Sequence, residues 1–151
     1  MTPGDLIIDA KSLVTMKPAP SNVPCNELEI QIIKLFILPE RQERLLFLQA
    51  RRREAFVAAF HTEKFLNLAA AIPVTPQTGI LALMKQRGAS NECYVVSAQR
   101  HLDARMLPLD AALKECVGFS IETILISPKT GVGYYEGGGY TGRYVLVDPG
   151  V

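Results

Sequence analysis

From Ile121 to Val147 the chain reads IETILISPKTGVGYYEGGGYTGRYVLV. Three short runs rich in β-branched and aromatic residues, Ile121–Ser127, Val132–Glu136 and Arg143–Val147, predict three strands separated by turn-forming segments. Pro128-Lys129-Thr130-Gly131 has its proline early and its glycine late, which is turn chemistry. Gly137-Gly138-Gly139-Tyr140-Thr141-Gly142 supplies the second hairpin loop, with glycine available for positive φ. Alternation along the middle run sets Tyr134 and Glu136 on one face and Tyr135 on the other. Upstream, Glu92–Ser97 (ECYVVS) predicts a fourth, buried strand.

The period changes before that strand. Asn26 followed by Glu29 has capping-box spacing and predicts a helix over 27–37, although Leu28–Ile32 also alternates like a strand. Pro39 is well suited to the first turn of a second helix, expected to run to about residue 60. His61-Thr62 breaks it, residues 63–71 suggest a short helical stretch, and Ile72-Pro73-Val74 is extended. Thr75 caps a helix over 76–87 closed by Gly88. Gln99–Leu107 reads as a polar loop and Pro108–Val117 as a helix stopped by Gly118. Helices first and strands last give an α+β fold, with N-terminal helices packed on a small, mainly antiparallel sheet of about four strands. Residues 1–24, with Pro3, Pro18, Pro20 and Pro24, are expected to form an extended arm. Residues 25–151 are expected to form a single domain.

The chain has 151 residues, of which 48% are apolar and 21% charged, so it is not of the disordered class. A formal charge of +1 offers no global field to recruit nucleic acid or a membrane surface. Cys25, Cys93 and Cys116 form no paired framework, which points to free thiols in a reducing cytoplasm. His61 and His101 stand away from any cysteine pair, so neither a metal nor a cofactor is expected. Leu6-Ile7-Ile8 is too short for a secretory signal core, and Ile30–Leu38 is too short for a bilayer of about 30 Å.

On the second helix, at about 100° per residue, Leu45, Leu46, Ala50, Phe56, Val57 and Phe60 form a core arc. Arg41, Arg44, Arg51 and Arg52 gather on a neighbouring arc along roughly 17 Å of helix. That stripe suits phosphates or an acidic partner, or is a solvated face paired to Glu40, Glu43 and Glu54. Phe47 is the one aromatic near it. Arg53 falls on the apolar side in line with Gln42 and Gln49. There it must find a carboxylate, a dimer seam or a cleft, unless it snorkels past Phe56 to solvent.

The segment Ser97-Ala98-Gln99-Arg100-His101-Leu102-Asp103-Ala104-Arg105 is the densest polar chemistry in the chain. His101 is a natural acid or base, with Asp103 and Glu136 as carboxylate partners. A hydrogen-bonded surface turn explains the same residues. Glu122 and Glu136 are a second possible acid/base couple. The glycine-rich stretch leads into a strand rather than a helix, so it lacks the geometry of a phosphate loop. Its tyrosines, Tyr134, Tyr135, Tyr140 and Tyr144, would rim a pocket or interface. Cys93 and Cys116 are expected to be buried and inert.

These residues favour a non-catalytic binding or regulatory module that meets a protein partner or a second copy of itself. Arg53, Arg100, His101, Arg105, Tyr134 and Tyr140 are its candidate contacts. A mean hydropathy of +0.16 and the aliphatic surplus of 28–38 suggest a homodimer through the N-terminal helices. The alternatives are a small hydrolase or transferase built on His101, and nucleic-acid binding by the arginine stripe.

Overall fold

ECYVVS, TILIS and VGYYE are apolar on both alternating sets of positions, the pattern of strands covered on two sides. The computed structural model describes residues 25–139 and 141–149, and its sheet is covered in this way. The expected arm, residues 1–24, and Tyr140 lie outside the described residues. In chain order the elements begin with α1 (Cys25–Phe36), a 3-10 turn at Pro39–Arg41, α2 (Gln42–Arg51) and α3 (Arg53–Ala58). Three further 3-10 turns (Ala59–His61, Glu63–Phe65, Leu68–Ala70) lead into β1 (Ala71–Pro73) and α4 (Ile80–Gln86). Then come β2 (Glu92–Ser97), β3 (Arg105–Pro108), α5 (Leu109–Cys116), β4 (Thr123–Ser127), β5 (Val132–Glu136) and β6 (Arg143–Leu146).

The fold is α+β, but among the described residues the sheet has six strands rather than four. Their order is β1-β6-β5-β4-β2-β3, with every neighbouring pair antiparallel. The two additional strands are the edges of the sheet as the described residues form it. Arg105–Pro108 was expected to begin in a polar loop, yet it pairs with β2, Pro108 opposite Glu92 and Arg105 opposite Val95. Proline is tolerated there because an edge strand has one unpaired side. Of Ala71–Pro73, only Ala71 was placed in a helical stretch; Ile72 and Pro73 were expected to be extended, and β6 pairs the whole segment through Ala71↔Leu146 and Pro73↔Tyr144. The pairing of both edges rests on a remote partner, which local pattern does not record.

The second helix is also corrected. It is interrupted at Arg52, whose φ of −142° and ψ of 77° leave the helical region between α2 and α3. Helix α4 begins at Ile80 rather than Pro76, because Thr75–Thr78 closes as a turn held by the Thr78 hydroxyl. Ala50, expected in the core arc, is exposed.

Tyr94, Val96, Ile124, Ile126, Tyr135 and Leu146 project from one face of the sheet. They meet Leu28, Ile32, Ile33 and Phe36 of α1, Leu45 and Leu48 of α2, and Phe56 and Phe60. Cys93, Val95, Leu125, Tyr134 and Val145 project from the other face, against Ile80 and Met84 of α4 and Leu109, Ala112, Leu113 and Cys116 of α5. The aliphatic surplus of 28–38 is therefore largely absorbed by the sheet of the same chain. Gly133 makes the fit possible: a Cβ there would lie 2.4 Å from the Leu125 carbonyl and 2.9 Å from the Phe36 ring. Among the described residues no helix is long and apolar enough to cross a membrane.

Candidate functional site

Gln42, Gln49 and Arg53, the polar line on the second helix, face α1. The Gln42 amide donates to the carbonyls of Lys34 (3.4 Å) and Ile37 (3.0 Å) at the end of α1. The Gln49 amide donates to Asn26 Oδ1 at 2.7 Å and Glu29 Oε1 at 3.0 Å. Arg53 bonds Glu29 through Nη1 and holds Asp103 with a fork, Nη2 to Oδ1 at 2.8 Å and Nε to Oδ2 at 3.3 Å. It lies 5.8 Å from the centre of the Phe56 ring while doing so. The snorkelling alternative is thus replaced by an ion triad. Glu29 is buried and also accepts from the Tyr94 hydroxyl at 2.6 Å. Burial and then the Glu29 bond push the Tyr94 pKa upward.

His101, Asp103 and Glu136 do not form one catalytic group. Asp103 is committed to Arg53 and to the Ser97 amide, at 2.9 Å. His101 is exposed and its Nε2 lies 3.2 Å from Glu115 on α5. Glu136 is fully buried in a third arrangement. Arg143 Nε reaches both of its oxygens at 3.0 Å, the Tyr134 hydroxyl donates at 2.6 Å, and the amides of Gly118 and Ser120 donate at 3.1 and 2.8 Å. These bonds pin the turn after α5, where Gly118 and Ser120 both have positive φ. They satisfy the carboxylate without leaving it a solvent-facing lone pair.

The tyrosine rim is likewise corrected. Tyr134 and Tyr135 are fully buried, the former as the partner of Glu136, the latter donating to the Phe60 carbonyl at 2.7 Å. Tyr144 donates to Glu63 at 2.8 Å. Of the remaining candidates, Arg105 caps the His101 carbonyl at 2.9 Å, and Arg100 is exposed on the same turn. Cys93 and Cys116 are buried, and burial pushes the Cys93 thiol up to about 12. That removes its nucleophilic form at neutral pH.

Sequence reasoning missed His61. Its Nδ1 stands 3.5 Å from Glu122 Oε1, so Glu122 faces an imidazole rather than Glu136. The His61 carbonyl accepts from the Gly138 amide at 2.8 Å and the Thr141 hydroxyl at 3.1 Å. A Cβ on Gly138 would fall 2.3 Å from His61 Nδ1, which is why the loop is glycine there. A carboxylate on one ring nitrogen orients the other for proton transfer. No hydroxyl or thiol of the described residues bonds Nε2. The signal would have been a glycine-rich loop needing something to close over.

The outward face of α2 is the remaining concentration of chemistry. Arg44, Phe47 and Arg51 succeed one another at i, i+3 and i+7, all exposed. Phe47 is 52% exposed and Arg51 lies 5.7 Å from its ring centre. At the start of the helix Arg41 and Lys64 converge on the Phe65 ring, at 5.4 and 5.5 Å. The expected pairing with Glu40, Glu43 and Glu54 is not made. Among the described residues the ion pairs lie elsewhere, and Arg41, Arg44, Arg51, Arg52 and Lys64 have none.

No group of three His, Cys, Asp or Glu side chains among the described residues is arranged to hold a metal ion. Comparison with protein-family models, curated proteins and solved structures finds no match for this chain.

Proposed function

We propose that this protein is a non-catalytic cytoplasmic binding module that meets a protein partner through the outward face of α2. The observation that carries the reading is Phe47, half in solvent, with Arg51 over its ring, Arg44 one turn before it, and no ion pair to either arginine among the described residues. Aromatic and arginine side chains are the residue types that dominate protein interfaces. The carboxylates that suggested catalysis, Asp103 and Glu136, are held by Arg53 and Arg143 as parts of the scaffold. Free thiols at Cys25, Cys93 and Cys116 support the compartment.

The face is ill suited to self-pairing. A two-fold axis through Phe47 would set Arg44 of one copy against Arg51 of the second, like charges facing each other. A photoreactive phenylalanine analogue at position 47, compared with one at exposed Leu81 on the opposite side of the sheet, tests the reading. The expected result is one discrete protein adduct in cells at 47, lost when Arg44 and Arg51 are both changed to Glu. Equal adducts at both positions, or none at 47, overturn it. An adduct of twice the chain's mass identifies a second copy as the occupant and removes the argument from like charge.

A further inference from the structure

We infer that the partner segment recognised by α2 is an extended acidic peptide, carrying carboxylates at both ends and an apolar side chain between them; the inference rests on the α2 reading above. The unpaired cations are not spread evenly along the helix. Arg41 and Lys64, from different segments, are drawn to one ring at the start of the strip. Arg51 and Arg52 stand at its end, and Phe47 lies between, with Arg44 one turn before it. Two cations brought to a single ring, neither in an ion pair among the described residues, repel each other, and an arriving anion relieves that repulsion. The side chains are already held by cation–π contact, so less freedom is lost on binding.

The spacing sets the length of the ligand. Ten helical steps from Arg41 to Arg51 advance about 15 Å. A chain in extended conformation covers that distance with about five residues at roughly 3.3 Å each. The peptide's acidic ends then meet Arg41/Lys64 and Arg51/Arg52, and its middle residue covers Phe47.

The same face argues for peptide over nucleic acid. Glu40, Glu43 and Glu54 are exposed among the arginines. A duplex carries a negative charge about every 1.7 Å of its axis and cannot avoid them. A peptide can place neutral or basic residues opposite each glutamate. One aromatic ring also offers little to stack successive bases.

Fluorescence anisotropy tests this with a labelled peptide bearing paired glutamates at its ends and leucines between. The comparison probes are the same peptide with glutamines, the same with lysines, and a single-stranded oligonucleotide. The glutamate peptide is expected to bind, more weakly as salt rises. Reversal of Arg44 and Arg51 to Glu is expected to weaken it about tenfold or more and to let the lysine peptide bind instead. Arg87→Glu, an exposed arginine on the other side of the sheet, leaves binding unchanged. Circular dichroism confirms that each variant folds. Equal binding of the glutamine peptide, no binding of the glutamate peptide, or no effect of charge reversal overturns the inference. If the oligonucleotide binds more tightly and is lost on reversal, the peptide class is wrong while the α2 surface stands. Absence of any adduct at position 47 in cells removes the surface itself.

Discussion

Glu29, Tyr94 and Arg53 on one face of the sheet and Glu136, Tyr134 and Arg143 on the other are the same three residue types, bonded to each other in the same way. In each trio the tyrosine projects from a strand and donates at 2.6 Å to a buried glutamate that an arginine neutralises. The arginines differ. Arg143 is 18% exposed and shares its carboxylate with two backbone amides. Arg53 is 36% exposed and divides its guanidinium between Glu29 and Asp103. One trio is a sealed pin for a strained turn, and the other is a clamp between α1, α3 and the turn before β3, with water at its rim. The lesson is that solvent reaching the cation decides how much the fold depends on the pair.

The largest effect is expected at Glu136. In Glu136→Gln the amide nitrogen must face either the Gly118 and Ser120 amides or Arg143 Nε, donor against donor in both orientations, and Arg143 would lose its counter-charge. A loss of about 3–5 kcal/mol is expected in urea unfolding. A loss below about 1 kcal/mol would show that the face is not sealed. Glu29→Gln sharpens the contrast: Arg53 keeps Asp103 and solvent, so about 1–3 kcal/mol is expected by the same measurement. A cost equal to that at Glu136 breaks the comparison.

High pH addresses both trios together. Burial and the glutamate bond raise the pKa of Tyr94 and Tyr134, and burial raises Tyr135 and Cys93. These groups stay protonated in the folded chain while the unfolded chain gives up its protons from about pH 9 for cysteine and 10 for tyrosine. The unfolded state then binds fewer protons, so stability is full below pH 9 and falls as pH rises above it. Tyrosinate absorbance at these positions should rise together with loss of the far-ultraviolet dichroism signal, and Tyr94→Phe and Tyr134→Phe should each remove part of the rise. Ionisation well before unfolding would mean that the hydroxyls are not held. The smallest effect is expected at Phe47→Ala, where stability should change by no more than about 0.5 kcal/mol while partner binding is lost. A larger change would make Phe47 part of the scaffold instead.

The sequence carried the inner elements well. Glu92–Ser97 and Val132–Glu136 match their strands residue for residue, because burial on both faces leaves a continuous apolar run. The opposite faces of Tyr134 and Tyr135 followed from alternation alone. The edge strands did not show as members of the sheet, although Ile72-Pro73 read as extended, since Arg105–Pro108 and Ala71–Pro73 become strands only when β2 and β6 pair with them. The polar line of Gln42, Gln49 and Arg53 was legible as an anomaly, but its partner α1 was not, because helical periodicity names a face without naming what it meets. His101 drew attention through local density of polar residues. The bonds that matter join Glu29 to Tyr94 and Arg53, and Glu122 to His61, over separations that a reading along the chain does not span.

β6 enters the sheet between β1 and β5 although it is the last of these strands to be made. On a ribosome, then, residues 71–73 emerge long before their sheet neighbour exists, and β1 stays unpaired by β6 while β3, β2, β4 and β5 can already assemble in the order they are made. The surface that α1 to α3 cover lacks Tyr144 and Leu146 until Arg143–Leu146 arrives to complete it. Mutations in that short C-terminal ribbon should therefore betray themselves first as poor yield during synthesis, ahead of any weakening seen in the purified molecule.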